Sequence, residues 1–231
     1  MIFRNDTRRP GAFTVTELLV SICLIGVLVA VLVSGLQSIR SIAGSTRCLN
    51  NLKEIAAGLL LYAGEHNGIL PKTFDEETKT PWMMAISIHN NYLPSYRKDE
   101  HFQLWHCPSW IPLTVDDPRG KAPWLNVYGF VKPMGGHYDV IDRTLALHTP
   151  RTPLLADSLD EKPAGALSYQ NYVAFADQPK TTWKIHLRHQ GRANIAFADG
   201  HCESLNAEAL TTLKVGVNQV SIKQWSERKS P

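Results

Sequence analysis

The sequence predicts an α+β protein in which one long N-terminal helix packs on an antiparallel β-sheet domain. Three observations predict it. No Asp, Glu, Lys or Arg occurs from Leu18 to Ile39. Apolar residues then keep helical spacing as far as Tyr62, with charges interleaved. Beyond residue 66, short apolar runs alternate with Pro and Gly, as strands and turns do. Across 231 residues the chain is 44% apolar and 19% charged, values ordinary for a globular protein, but the apolar weight is concentrated near the N-terminus. A formal charge of +3, with no Lys/Arg-rich run, gives no footing for nucleic-acid binding.

Residues 1–12, MIFRNDTRRPGA, form a basic leader, with Arg4, Arg8 and Arg9 against Asp6 for a net +2. Residues 13–36, FTVTELLVSICLIGVLVAVLVSGL, follow as a membrane-length segment. As a helix these are roughly 36 Å long, enough to span a hydrocarbon core of about 30 Å. Val and Ile are weak helix formers, but lipid forces every backbone group to pair internally. The basic leader predicts a single-pass protein in the inner (cytoplasmic) membrane, with its N-terminus in the cytoplasm and the rest periplasmic or at the cell surface. A secretory signal peptide has a shorter apolar core and a small-x-small cleavage site, and neither is present. A plain signal anchor fits the length and leaves Glu17 without a role, beyond reaching for the headgroups from the start of the helix.

Residues 37–66 extend the helix beyond the span. Ile39, Ile42, Leu49, Leu52, Ile55 or Ala56, Leu59 and Tyr62 recur at steps of three and four, with Arg40, Arg47, Lys53 and Glu54 between them. Asn67-Gly68 is a stop signal. One helix from Phe13 to about His66 is roughly 80 Å long. Gly26, Gly35 and Gly44 are either points of close helix approach or tolerated small residues.

Residues 67–231 are the extracytoplasmic α+β domain. Its strand candidates are 104–108, 125–130, 153–158, 171–177 and 193–205, and residues 80–94 read as a helix entered at Pro81 and closed near Asn90-Asn91. Ile195 and Phe197 alternate with Ala196 and Ala198, the period of a strand. Asp199-Gly200 then predicts a two-residue type I′ hairpin turn, with a return strand from His201 to Leu205. His189 is placed to hydrogen-bond that turn or a nearby carboxylate. Alternatively, His186, His189, Asp199 and His201 gather around a metal. A structural turn network is the expectation carried forward, with no metal and no cofactor. Outside the span, Cys48, Cys107 and Cys202 allow at most one internal disulfide, and none has zinc-type CxxC spacing. His106 and Cys107 are neighbours that a strand would point to opposite faces, and no phosphate loop or G-x-S-x-G elbow is present. No catalytic residue is therefore nominated, and an enzyme is not expected.

Two stretches carry a family resemblance. The basic leader ending in Gly11-Ala12, then Phe13, then Glu17 opening an apolar helix, resembles the type IV prepilin and pseudopilin cleavage/methylation signal. RHQGRANIAFADGHCE at 188–203 is similar to the H-X9-DG domain (His189 to Gly200) found at the end of prepilin-type proteins. The resemblance implies a pilin-like fold and cleavage by a prepilin peptidase between Ala12 and Phe13, with methylation of Phe13. Ala12 stands where the family usually has Gly. It also implies that Glu17, five residues into the mature chain, pairs with the α-amino group of a neighbouring subunit. Cys48-Leu-Asn-Asn-Leu-Lys and Cys107-Pro-Ser resemble segments that occur together in the family, which suggests a Cys48–Cys107 disulfide.

The function expected is a non-enzymatic pseudopilin-like subunit of a pilus-like or type II secretion-like filament. Its partners are a prepilin peptidase, other pilin-like subunits contacted through the N-terminal helix, and the inner membrane, with no nucleic acid. The alternative is a membrane-anchored periplasmic binding module that does not polymerise.

Overall fold

The computed structural model of the chain describes residues 14–95, 102–109, 127–132, 151–160, 170, 173–175, 183–215 and 218–219. The leader and the Ala12–Phe13 bond lie outside these residues. The protein is a mixed helix-and-sheet structure opened by a single unbroken helix of 51 residues, α1 (Val15–Glu65). It ends at the expected stop. Asn67 and Gly68 take φ of 56° and 83°, and the Gly68 amide donates to the Ala63 carbonyl at 2.7 Å, the closing bond of a left-handed helix cap.

Contacts divide the chain into two compact units, Met1–Arg40 and Ser41–Pro231. The described part of the first is helix, and Val15–Val33 is long and apolar enough to cross a membrane. Among the described residues none of that stretch is buried.

In the second unit, α1 buries Cys48, Leu52, Ile55, Ala56, Leu59 and Ala63, a stripe at helical spacing. The predicted stripe is shifted in part. Ile39 and Ile42 are 61% and 59% exposed, and fully buried Cys48 replaces half-buried Leu49 at the start of the packed face. Against this stripe pack Trp82, Met83, Ile86, Trp105, Tyr128, Phe130, Leu154 and Leu155. Trp82 and Met83 belong to α2 (Trp82–Met84), which Pro81 enters and which widens into a π-helical turn, Ala85–His89, before Asn91 takes φ 54°. Trp105 closes α3 (Phe102–Trp105), where the sequence predicted a strand. One helical turn there seats the indole in the core, and its Nε1 donates to the Pro94 carbonyl.

The short ribbon β1 (Phe74–Asp75) and β2 (Thr80–Pro81) precedes α2. The main sheet contains β3 (Gly129–Lys132), β4 (Pro153–Ala156), β6 (Val173–Phe175), β8 (Arg192–Phe197) and β9 (Cys202–Asn206), in the order β6-β3-β4-β8-β9. It is mixed rather than antiparallel throughout, because β6 pairs with β3 in parallel. Neighbouring residues face opposite sides: Phe130, Leu155 and Ala196 join the α1 core, while Val131, Ala156, Ile195 and Phe197 form a second core. Leu210 of α4 (Ala207–Thr211), capped by the Asn206 side chain, and Leu213 cover that second core. β5 (Ser158–Asp160) leaves the main sheet to pair with β7 (Trp183–Ile185). A last ribbon, β10 (Lys214–Val215) with β11 (Asn218–Gln219), completes the described elements.

Candidate functional site

The break between β4 and β5 falls on Asp157, whose backbone is held from both sides. Its amide donates to the Asn194 carbonyl at 3.1 Å, and its own carbonyl accepts the His186 amide at 2.8 Å. The Asp157 side chain is thereby turned into the core, where it is fully buried. Three residues from distant segments meet it. Cys48 Sγ on α1 donates to Asp157 Oδ1 at 3.2 Å, and His189 Nε2 lies 3.2 Å from Oδ2. Cys107 Sγ, just beyond α3, lies 3.3 Å from the same His189 nitrogen. The four ligand-type atoms of Cys48, Cys107, Asp157 and His189 all lie within 4.8 Å of one another, and all four residues are buried.

Each member is positioned by local structure. Cys48, Asn51 and Leu52 share one face of α1, being three and four residues apart. Leu52 enters the core, while Asn51 Nδ2 donates to the Gln103 carbonyl at 2.7 Å and ties down the segment that leads to Cys107. The Cys107 amide donates to Gln170 Oε1 at 3.0 Å. His189 is set by a tight turn: it exchanges backbone hydrogen bonds with Arg192, at 3.0 and 3.1 Å, around Gln190 and Gly191 at φ 53° and 77°. Positive φ at both central residues is the type I′ requirement. Asn194 then joins the parts, since its amide donates to Asp157 Oδ2 at 2.8 Å and its side chain donates to the Ser45 carbonyl of α1 at 3.2 Å.

The charges are arranged to match. Burial pushes the Cys107 thiol up, but hydrogen bonding from Cys48 and His189 and the Arg188 charge bring it down, to about 6. Burial, with Cys107 and Asp157 adding to it, holds the Cys48 thiol well above its ordinary value. Burial pushes His189 down, yet its bonds to Asp157 and Cys107 lift it to about 9. Asp157 stays below the usual carboxylate range despite burial, because His189 and Arg188 face it, the latter with Nε 4.0 Å from Oδ1. Burial beside Arg188 lowers His186 to about 3, which keeps that ring neutral.

The H-X9-DG spacing therefore spans one strand and the turn at each end of it. His189 and Asp199-Gly200 sit at opposite ends of β8 and do not form one network. The DG turn differs from expectation. Ala196 pairs with Cys202 and the Phe197 amide donates to the His201 carbonyl, which leaves three residues, 198–200, in the loop, and only Gly200 takes positive φ, 90°. The Gly200 amide closes on the Phe197 carbonyl at 2.9 Å, and Asp199 accepts the His201 amide and pairs with its ring. The type I′ turn sits instead at Gln190-Gly191. Of His186, His189, Asp199 and His201, only His189 joins a convergent ligand group among the described residues.

Cys48 and Cys107 are brought together as the family resemblance suggested, but as two free thiols rather than a disulfide. Each sulfur is directed at a polar partner, Asp157 for one and His189 for the other. Asp157 was missed by the sequence reading. The signal was present, a lone carboxylate within the apolar run PLLADSL. A catalytic relay does not fit the geometry. A relay orients the imidazole through one nitrogen and acts through the other, whereas both Cys107 and Asp157 face Nε2, and Nδ1 is buried without a partner among the described residues.

Glu17 has a local partner. The Thr14 amide and hydroxyl both donate to Glu17 Oε2 at 2.8 Å, and the Glu17 amide donates back to the Thr14 hydroxyl at 3.3 Å. This is a capping box on the first turn of α1.

Searches against family models, curated proteins and solved structures find no match to the chain.

Proposed function

We propose that this protein is a non-enzymatic, pilin-like subunit, anchored in the inner membrane by the first part of α1 and assembled through that helix into a pilus-like or type II secretion-like filament. One observation carries the reading: Val15–Val33 presents apolar side chains that no described residue buries, with the acidic Glu17 in its first turn. Lipid covers such a surface, and the helices of like subunits cover it equally well. A carboxylate at membrane depth costs about 2.5–3.5 kcal/mol or more, which favours a partner of opposite charge. In a filament that partner is the α-amino group of a neighbouring Phe13, exposed by cleavage after Ala12.

The alternative, an anchored binding module that never polymerises, is supported by a surface cavity of about 340 Å³ lined by Tyr62, Lys72, Asp75, Thr78, Thr80 and His89. The N-terminus of the membrane-extracted protein separates the two. Mass spectrometry is expected to find N-methyl-Phe13 as the first residue. An intact leader beginning at Met1 overturns the filament reading and leaves the binding module.

A further inference from the structure

We propose that Cys48, Cys107, Asp157 and His189 bind one zinc ion in a closed, four-coordinate site that clasps the second half of α1 to the sheet. This inference does not depend on the filament reading. The donors come from four separated segments: α1, the residue pair beyond α3, the β4–β5 break and the turn before β8. Their convergence is a product of the tertiary fold and not of a local motif.

The geometry suits the ion. With zinc–sulfur bonds of about 2.3 Å and zinc–nitrogen or zinc–oxygen bonds of about 2.0–2.2 Å, tetrahedral ligands stand roughly 3.4–3.8 Å apart. The contacts here are 3.2 Å for Cys48 to Asp157, 3.3 Å for Cys107 to His189 and 3.2 Å for His189 to Asp157. An ion at the centre requires these three pairs to spread by a few tenths of an ångström, and the remaining pairs lie within 4.8 Å. His189 directs one nitrogen, Nε2, toward both a sulfur and the carboxylate, as a ring pointing at a shared centre does.

The chemistry selects the metal. Two thiolates and an imidazole are soft or borderline donors that favour zinc over magnesium or calcium, which take oxygen shells. All four residues are buried, and four protein donors fill a tetrahedral shell, the mark of a structural site. Charge also balances. Two thiolates and one carboxylate carry minus three, zinc supplies plus two, and the Arg188 guanidinium beside Asp157 supplies the remaining positive charge. Among the described residues Asp157 accepts the Asn194 amide and faces Arg188 and His189, and an ion adds one centre on which both sulfurs, the carboxylate and Nε2 meet. A Cys48–Cys107 disulfide uses the sulfurs but leaves the Asp157 carboxylate and His189 Nε2, which lie with them within 4.8 Å, outside the bond.

The full chain, purified in detergent without chelator, tests the proposal by elemental mass spectrometry. The expected result is one zinc per chain, with both thiols protected from alkylation until a chelator is added. Cobalt(II) exchanged into the site is expected to show the intense visible absorption of tetrahedral thiolate coordination. Cys48→Ser and Cys107→Ser are expected to lose the zinc. Because either variant can fail to fold, Arg188→Gln, which keeps all four ligands, supplies a second measurement, with zinc affinity expected to fall roughly 10–100-fold. Metal at background level in the wild-type chain overturns the site. So does an intact mass two hydrogens light with a crosslinked Cys48–Cys107 peptide, or zinc retained in full by both serine variants.

Discussion

Glu17 caps the first turn of α1, and a substitution can separate that cap from the charge pair of the filament we propose. Its bonds to Thr14 satisfy backbone groups that a helix start leaves open, and glutamine does this as well as glutamate. Pairing with a neighbour's α-amino group, by contrast, needs the negative charge. Glu17→Gln is therefore expected to keep the helix start ordered and to abolish assembly, measured by amide exchange and by filament yield. Glu17→Ala is expected to lose the cap as well, a cost of about 0.3–1.5 kcal/mol. Normal assembly of the glutamine variant rules out the charge pair and leaves the cap as the residue's purpose. The sequence made Glu17 conspicuous because nothing apolar accounts for it. Asp157 was equally anomalous within its apolar run, and its meaning waited on partners 32 and more residues away in sequence, at His189, Cys107 and Cys48.

The element that organises the site is β8 with its two turns. Gly200 at φ 90° stands where an added Cβ comes 3.2 Å from Leu60 Cδ1 of α1, whereas Gly191 at φ 77° faces open space. Left-handed backbone costs a non-glycine residue roughly 1–2 kcal/mol. Both alanine substitutions are expected to destabilise by about that amount, with Gly200→Ala the worse because Leu60 must also shift. Gly191→Asn is expected to be close to neutral, since asparagine tolerates this region. Chemical denaturation midpoints check the order, and equal midpoints for the two alanine variants remove the argument for contact at Gly200. The strand itself was legible from its period of two, as was the helix from its period of 3.6. The turn types were not. A dipeptide favours a turn, but the register of β8 on β9 decides how many residues the turn contains.

At the scale of the whole molecule, the cluster links stability to pH in the metal-free chain. His189 is raised from 6.5 to about 9, so its stabilisation is complete below pH 6.5 and is lost as pH rises through 9. Cys107 is lowered from 9.0 to about 6, so its stabilisation is present above pH 9 and is lost as pH falls through 6. Between about pH 6.5 and 9 the two slopes oppose each other, and stability is expected to be nearly flat. Cys107→Ser removes its own slope and part of the lift on His189, whose bond to Asp157 remains, so the variant is expected to weaken as pH rises above 6.5. Urea melts of chelator-treated protein at several pH values check this. A wild-type chain that itself weakens steadily across the window contradicts the pairing. The sequence by itself determined the long helix, its apolar first part, its stop at Asn67-Gly68 and the β8–β9 hairpin, because each rests on a period or a cap within a few residues. Only the tertiary structure decided the parallel β3–β6 pair, the bend at Asp157 and the meeting of Cys48, Cys107, Asp157 and His189. These depend on which distant segments exclude water together, and no local pattern of residues records that choice.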